Sequence, residues 1–115
     1  MSLVVEQAEF MKHVSIIIAY AFRNGIALTG GELFRTNEQQ QIHLRNGKSK
    51  TKYSRHQDRL AIDFNFFING ELTYKHPLIT QMGEYWESLS VYNRWGGNFK
   101  TFKDTPHFER RRTRR

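Results

Sequence analysis

Between Leu60 and Ile68 the chain alternates strictly. Leu60, Ile62, Phe64, Phe66 and Ile68 fall on one side of an extended backbone, and Ala61, Asp63, Asn65 and Phe67 on the other. Side chains of a strand point to opposite faces with a period of two, so this run is a strand with one apolar face against a core. Asn69-Gly70 follows at once. That dipeptide tolerates the positive φ that a two-residue hairpin turn requires at both positions. Glu71 to Lys75 is then the returning strand. Whatever else the chain builds must cover the apolar side of this hairpin.

Two helices are placed to do so. Over residues 5–24, Phe10, Val14, Ile17, Ile18 and Ala21 recur at helical spacing, while Glu9, Lys12 and His13 lie off the stripe. Asn24-Gly25 ends this helix. Pro77 suits the first turn of another, whose buried stripe is Leu78, Met82, Tyr85, Trp86, Leu89 and Tyr92. Between them, Ile26 to Arg35 reads as a short strand around a Gly30-Gly31 turn or bulge. Thr36-Asn37-Glu38-Gln39 fits a capping box that opens a short helix ending near Asn46-Gly47. Lys48 to Arg55 is a polar, basic loop, Arg94-Trp95-Gly96-Gly97 another loop, and Phe99 to Phe108 a strand and turn. The order predicts an α+β fold, a small antiparallel sheet packed against helices. At 115 residues there is room for one domain, residues 1–109, followed by a basic tail, 110–115.

The chain has no cysteine, which excludes disulfide scaffolds, zinc ribbons, iron–sulfur sites and thiol nucleophiles. Of the net charge of +7, five charges come from Arg110, Arg111, Arg112, Arg114 and Arg115. The body is close to balanced, which weakens a nucleic-acid reading of the whole domain. A basic module using the tail is the rival from another class. The tail is short and lacks interleaved aromatics, so no nucleic acid is expected as partner. The same five arginines can attract an anionic membrane or lipopolysaccharide. The longest apolar stretch, Val14 to Phe22, is about half a spanning helix. Glu6 and Glu9 stand where a secretory signal needs positive charge. The expectation is a monomer made and folded in the cytoplasm, without a signal peptide.

Candidate chemistry sits around Asp63. His56 precedes it by seven residues, roughly 23 Å if extended, so the two meet only if Gln57-Asp58-Arg59 turns the chain back. In Asp104-Thr105-Pro106-His107, Pro106 can bend the strand so that both ends face one site. His56, Asp63 and His107 then offer two imidazoles and a carboxylate. Zinc accepts that set and keeps a fourth position for water, whose proton Asp104 can take and pass to a leaving amine. The plainer alternative is two surface or core histidines and two solvated aspartates. His13, His43 and His76 belong to that plainer class.

Four segments in order carry a resemblance. They are Arg35-Thr36-Asn37-Glu38-Gln39-Gln40, Ser54-Arg55-His56 with Ala61-Ile62-Asp63, Arg94-Trp95-Gly96-Gly97-Asn98-Phe99, and Asp104-Thr105-Pro106-His107-Phe108-Glu109. Over residues 26–109 the chain resembles the zinc peptidases that include VanY-type D-alanyl-D-alanine carboxypeptidases and the L-alanyl-D-glutamate endopeptidases of bacteriophage endolysins. The resemblance implies the hedgehog/D,D-peptidase-like fold, one Zn2+, and the stem peptide of bacterial peptidoglycan as substrate. It makes His56, Asp63 and His107 the zinc ligands and Asp104 the general base. It sets Arg35 against the scissile carbonyl, where a guanidinium stabilises the oxyanion. Ser54 either hydrogen-bonds substrate or a ligand, or caps its loop. Trp95 either walls the cleft or sits in the core. Gln40 matches a family position whose role is equally well structural. Glu109 either orients a ligand histidine or balances the tail. The size and the Trp95 to Phe99 phrase resemble the endolysin branch, which implies an L-alanyl-D-glutamate endopeptidase active in host lysis. The alternative is a D-alanyl-D-alanine carboxypeptidase or dipeptidase. One departure is clear: the family has glycine four residues before the ligand aspartate, where this chain has Arg59. A positive φ there costs an arginine on the order of 1 kcal/mol.

Overall fold

The computed structural model describes residues 1–31, 37–46 and 55–113. In chain order it has α1 (Leu3–Arg23), β1 (Ala27–Gly30), α2 (Asn37–Arg45), β2 (Ala61–Ile68), β3 (Glu71–Thr73), α3 (Pro77–Ser88), β4 (Asn93–Trp95), a short 3-10 turn (Gly96–Asn98) and β5 (His107–Arg110). This is an α+β fold with one antiparallel sheet.

The alternating run is the centre of that sheet. β1 pairs with β2 from Ala27 opposite Phe67 to Gly30 opposite Phe64. β3 pairs with the far end of β2, Phe66 opposite Thr73, through a turn in which Asn69 and Gly70 both have positive φ, 54° and 80°. β5 pairs with the near end, Asp63 opposite His107, and β4 closes the order β1-β2-β5-β4. Register here is chemistry: antiparallel partners opposite one another share a face, so Asp63 and His107 meet across the ladder.

The other face of β2 is covered by α1 and α3. Phe10, Val14, Ile17 and Ala21 of α1 meet Ile79, Met82 and Trp86 of α3 over Leu60, Phe64, Phe66 and Phe108. Trp86 stands edge-on to Phe10 and to Phe108, each at 5.8 Å between ring centres. Its indole N–H donates to the Glu109 carbonyl at 3.0 Å, so this large buried ring leaves no polar atom unpaired. Ser2 caps α1, its hydroxyl accepting from the Val5 N–H, and His76 caps α3, its Nδ1 accepting from the Leu78 N–H. Among the described residues no helix is long and apolar enough to cross a membrane.

Several sequence expectations are corrected. The buried stripe of α3 is Ile79, Met82, Gly83 and Trp86, with Leu78, Tyr85 and Leu89 at its margin. Tyr92 lies past the helix end. The stripe turns because Gly83 lets the Trp95 ring lie directly against the helix, where any Cβ would collide with it. Asn93 to Trp95 is a strand, not a loop, and the final strand starts only at His107. His13 is buried: its Nδ1 lies 3.3 Å from the Asn93 amide nitrogen, and burial pushes its pKa down.

Arg110 is the last residue of β5 and is buried against Glu6 of α1, itself fully buried. Glu6 takes Arg110 at 3.5 Å, Arg112 at 3.3 Å and the Thr113 N–H at 2.9 Å. The start of the expected tail is therefore clasped to the first helix. A buried carboxylate needs such partners, since an unpaired one is strongly destabilising. The capping box residue Thr36, the loop 47–54 and Arg114 and Arg115 lie outside the described residues.

Candidate metal centre

His56 reaches Asp63 through a tight reversal. The Arg59 N–H donates to the His56 carbonyl at 3.2 Å and the Leu60 N–H to the Arg55 carbonyl at 2.9 Å. The Arg55 guanidinium holds the Asp58 carboxylate at 3.0 Å. Arg59 sits at φ 58°, the left-handed conformation that glycine adopts without penalty. An arginine held there costs on the order of 1 kcal/mol, and the two turn hydrogen bonds and the Arg55–Asp58 pair hold it in place.

The second reversal brings His107. Its N–H donates to the Asp104 carbonyl at 3.0 Å, and the Phe64 N–H donates to the Pro106 carbonyl at 3.0 Å. The Asp104–His107 turn is thereby stitched to β2 one residue from Asp63. Gly96 backs it: the Asp104 N–H donates to the Gly96 carbonyl at 2.9 Å. A Cβ on Gly96 would run into the Asp104 carbonyl oxygen and crowd His107 Cβ.

The result is a cluster. His56 Nε2 and His107 Nδ1 each lie 3.2 Å from Asp63 Oδ1. One donor atom from each of the three residues lies within 4.8 Å of the others. A tetrahedral ion with ligand bonds near 2.1 Å separates its donors by roughly 3.4 Å, so the spacing suits a bound cation. The donor types suit zinc: two neutral imidazoles and one carboxylate, with a fourth position left over.

The remaining nitrogen of His107 is engaged. Its Nε2 lies 2.7 Å from Glu109 Oε1, and Arg94 lies 3.8 Å from the other oxygen of that carboxylate. A carboxylate on the far nitrogen fixes the ring and its tautomer, leaving Nδ1 to face the cluster. Of the two readings open for Glu109, the geometry gives the orienting one. Glu109→Gln is expected to weaken metal affinity by about 10- to 100-fold while leaving the fold in place, measured by competition with a fluorescent chelator.

Without a metal, the cluster is held together by protons. Burial alone pushes the His107 pKa down, but hydrogen bonds to Asp63 and Glu109 outweigh it and raise the pKa to about 9. Burial pushes Asp63 up, yet its hydrogen bonds with His107 and His56 hold its carboxyl well below the usual range. Glu109 is likewise pushed up by burial and pulled below its ordinary value by His107. Metal uptake must displace the Nδ1 proton of His107. At pH 7 it is expected to release about one proton, read by calorimetry in buffers of different ionisation enthalpy. Affinity should climb about tenfold per pH unit up to the raised value near 9 and then level off. In the chelated protein, the stability that protonated His107 contributes is complete below 6.5, its ordinary value, and is lost as pH rises through 9.

The sequence-predicted residues divide as follows. His56, Asp63 and His107 come together, and Asp104 lies in the same turn as His107. Trp95 is buried at 4% exposure, its indole N–H donating to the Thr105 carbonyl at 2.8 Å. Gln40 is fully buried. Arg35 and Ser54 lie outside the described residues. Asn65 and Tyr74 also stand near the cluster, with no role assigned to them from the sequence. Asn65 shares the Asp63 face of β2, and its side-chain oxygen accepts from the Tyr74 hydroxyl at 2.6 Å. The period-two pattern already put Asn65 on that face, but nothing local marked Tyr74 as its partner.

Comparison with known proteins places this geometry. The family described as D-alanyl-D-alanine carboxypeptidase matches residues 47–110, which include all three cluster residues and Asp104. In fold the chain is similar to the L-Ala D-Glu endopeptidase ChiX of Serratia marcescens, with a TM-score of 0.74 at 23% identity, covering 90% of this chain and 78% of that one. It is also similar to the vancomycin-resistance D,D-pentapeptidase VanY of a VanB-type cassette, solved as a point mutant with Zn(II). There the TM-score is 0.59 at 16% identity, covering 89% of this chain and 70% of that one. No curated protein matches the chain in sequence.

Proposed function

Because the chain belongs to the D-alanyl-D-alanine carboxypeptidase family of metallopeptidases, we propose that it is a zinc-dependent L-alanyl-D-glutamate endopeptidase of peptidoglycan, serving host lysis as a phage endolysin. The observation that carries the reading is the convergence of His56 Nε2, Asp63 Oδ1 and His107 Nδ1 within 4.8 Å. The choice of bond is supported by the fold likeness to ChiX, higher in TM-score and coverage than the likeness to VanY.

His56, Asp63 and His107 would hold the ion. When bound, it supplies Lewis acidity toward the scissile carbonyl and an acidified water. Asp104, carried on the turn that ends in His107, takes the proton of the attacking water and returns it to the leaving amine. Arg35 is assigned the oxyanion and Ser54 a hydrogen bond to substrate, from the family pattern alone. Glu109 holds the His107 ring and, by keeping the Nε2 proton, leaves Nδ1 as the donor to the ion.

Digestion of purified peptidoglycan tests the reading. New N-terminal D-glutamate is the expected product. Release of D-alanine with no new D-glutamate terminus would replace it with the carboxypeptidase alternative.

A further inference from the structure

A groove of about 540 Å3 opens beside the turn that carries Asp104 and His107. Its walls include Tyr74, Lys75, Pro77, Ile79, Trp95 and Thr105. Three hydrogen bonds fix them. The Thr105 hydroxyl donates to the Tyr74 carbonyl at 2.7 Å, the Trp95 indole to the Thr105 carbonyl at 2.8 Å, and the Tyr74 hydroxyl to Asn65 at 2.6 Å. Asn65 lies two residues from Asp63 on the same face of β2, so Tyr74 joins the groove to the metal-facing side of the sheet. The groove is thus preformed and mostly apolar, and it meets the Asp104–His107 turn at Thr105. Its cation is Lys75, with which no carboxylate among the described residues forms an ion pair.

The side of the site matters. A base that serves both the attacking water and the departing nitrogen has the leaving half of the substrate on its own side. Asp104 is that base in the reading above, and Thr105, the next residue, is already groove wall. The leaving half of a stem peptide starts with D-glutamate joined through its side chain, so its α-carboxylate is free.

We propose that this groove is the subsite for the leaving half of the stem peptide, with the Lys75 ammonium meeting the free α-carboxylate of its first residue. The inference rests on the endopeptidase reading. An apolar trough with one cation at its rim suits such a segment: the walls take the aliphatic parts, and the ammonium takes the acid.

The test uses the zinc-loaded full chain and two synthetic stem peptides, one with the D-glutamate α-carboxylate free and one with it amidated. Lys75→Ala touches an exposed side chain and leaves the metal cluster intact. For the free acid it is expected to raise KM about fivefold with kcat unchanged, the scale of a solvent-exposed ion pair. For the amidated peptide it should change nothing, and the wild-type protein should prefer the free acid by the same factor. Thr80→Phe, which fills the groove from α3, should raise KM for both peptides. Equal effects of Lys75→Ala on both peptides, or none on either, would overturn the subsite while leaving the endopeptidase reading standing. A wild-type protein that cleaves neither peptide overturns that reading and the subsite with it.

Discussion

His107→Ala is expected to abolish metal binding and peptidoglycan hydrolysis together. The substitution removes one of three donors that lie within 4.8 Å of each other. Loss of a partner behind a ligand already weakens metal affinity by about 10- to 100-fold, and loss of the ligand itself must exceed that. His107 also separates Asp63 from Glu109, bonding each at 3.2 and 2.7 Å. Without the imidazole, Glu109 stays buried and loses its 2.7 Å partner, keeping the Arg94 guanidinium at 3.8 Å and the longer-range pull of Arg55, so the variant should also be less stable at neutral pH. His56→Ala separates the two effects. It takes away a donor but keeps the His107–Glu109 pair, so metal and hydrolysis should vanish with a smaller drop in thermal stability. Elemental analysis, a hydrolysis assay and a melting curve on both variants check this. Retention of metal and turnover by either variant would remove that residue from the ligand set.

Asp104→Ala should do the opposite to the metal and the same to turnover. Asp104 is not among the three clustered donors, so the ion should stay. Positioned proton transfer contributes about 10²- to 10⁴-fold, and a loss of that size in kcat is expected with metal content unchanged. The turn itself should survive, because its hydrogen bonds use the Asp104 backbone: the N–H to Gly96 and the carbonyl to His107. Near-normal turnover in this variant would give the base to another residue.

Much of this site could be read from residue order because it is built on local signals. The alternation from Leu60 to Ile68 fixes the face that Asp63 occupies, and Asn69-Gly70 sets the hairpin beside it. The Arg59 departure was visible as a cost, and the structure meets it with a left-handed residue at φ 58°. Glu109, two residues beyond His107, falls on the same face by strand period and reaches its far nitrogen.

What was hidden is what only tertiary contact decides. The α3 stripe rotates toward Ile79 and Gly83 because a tryptophan twelve residues later needs the glycine's missing side chain. Asn93 to Trp95 becomes a strand because β5 offers it an edge, against the turn-like sequence that follows. His13 lies off the apolar stripe of α1 yet is buried, since Asn93 waits for it across the core. Glu6 looks like a solvated acid until Arg110 and Arg112 arrive from the other end of the chain. The groove beside Thr105 is assembled from three separate stretches, 74–80, 95–97 and Thr105, and no one of them announces it.

Zinc content, coupled to hydrolysis, is the deciding measurement. The purified protein should carry about one equivalent of zinc per chain, lose peptidoglycan hydrolysis when a chelator removes it, and recover on adding zinc back. Chelated protein, verified metal-free, that still cleaves the stem peptide at full rate would contradict a metal centre at His56, Asp63 and His107.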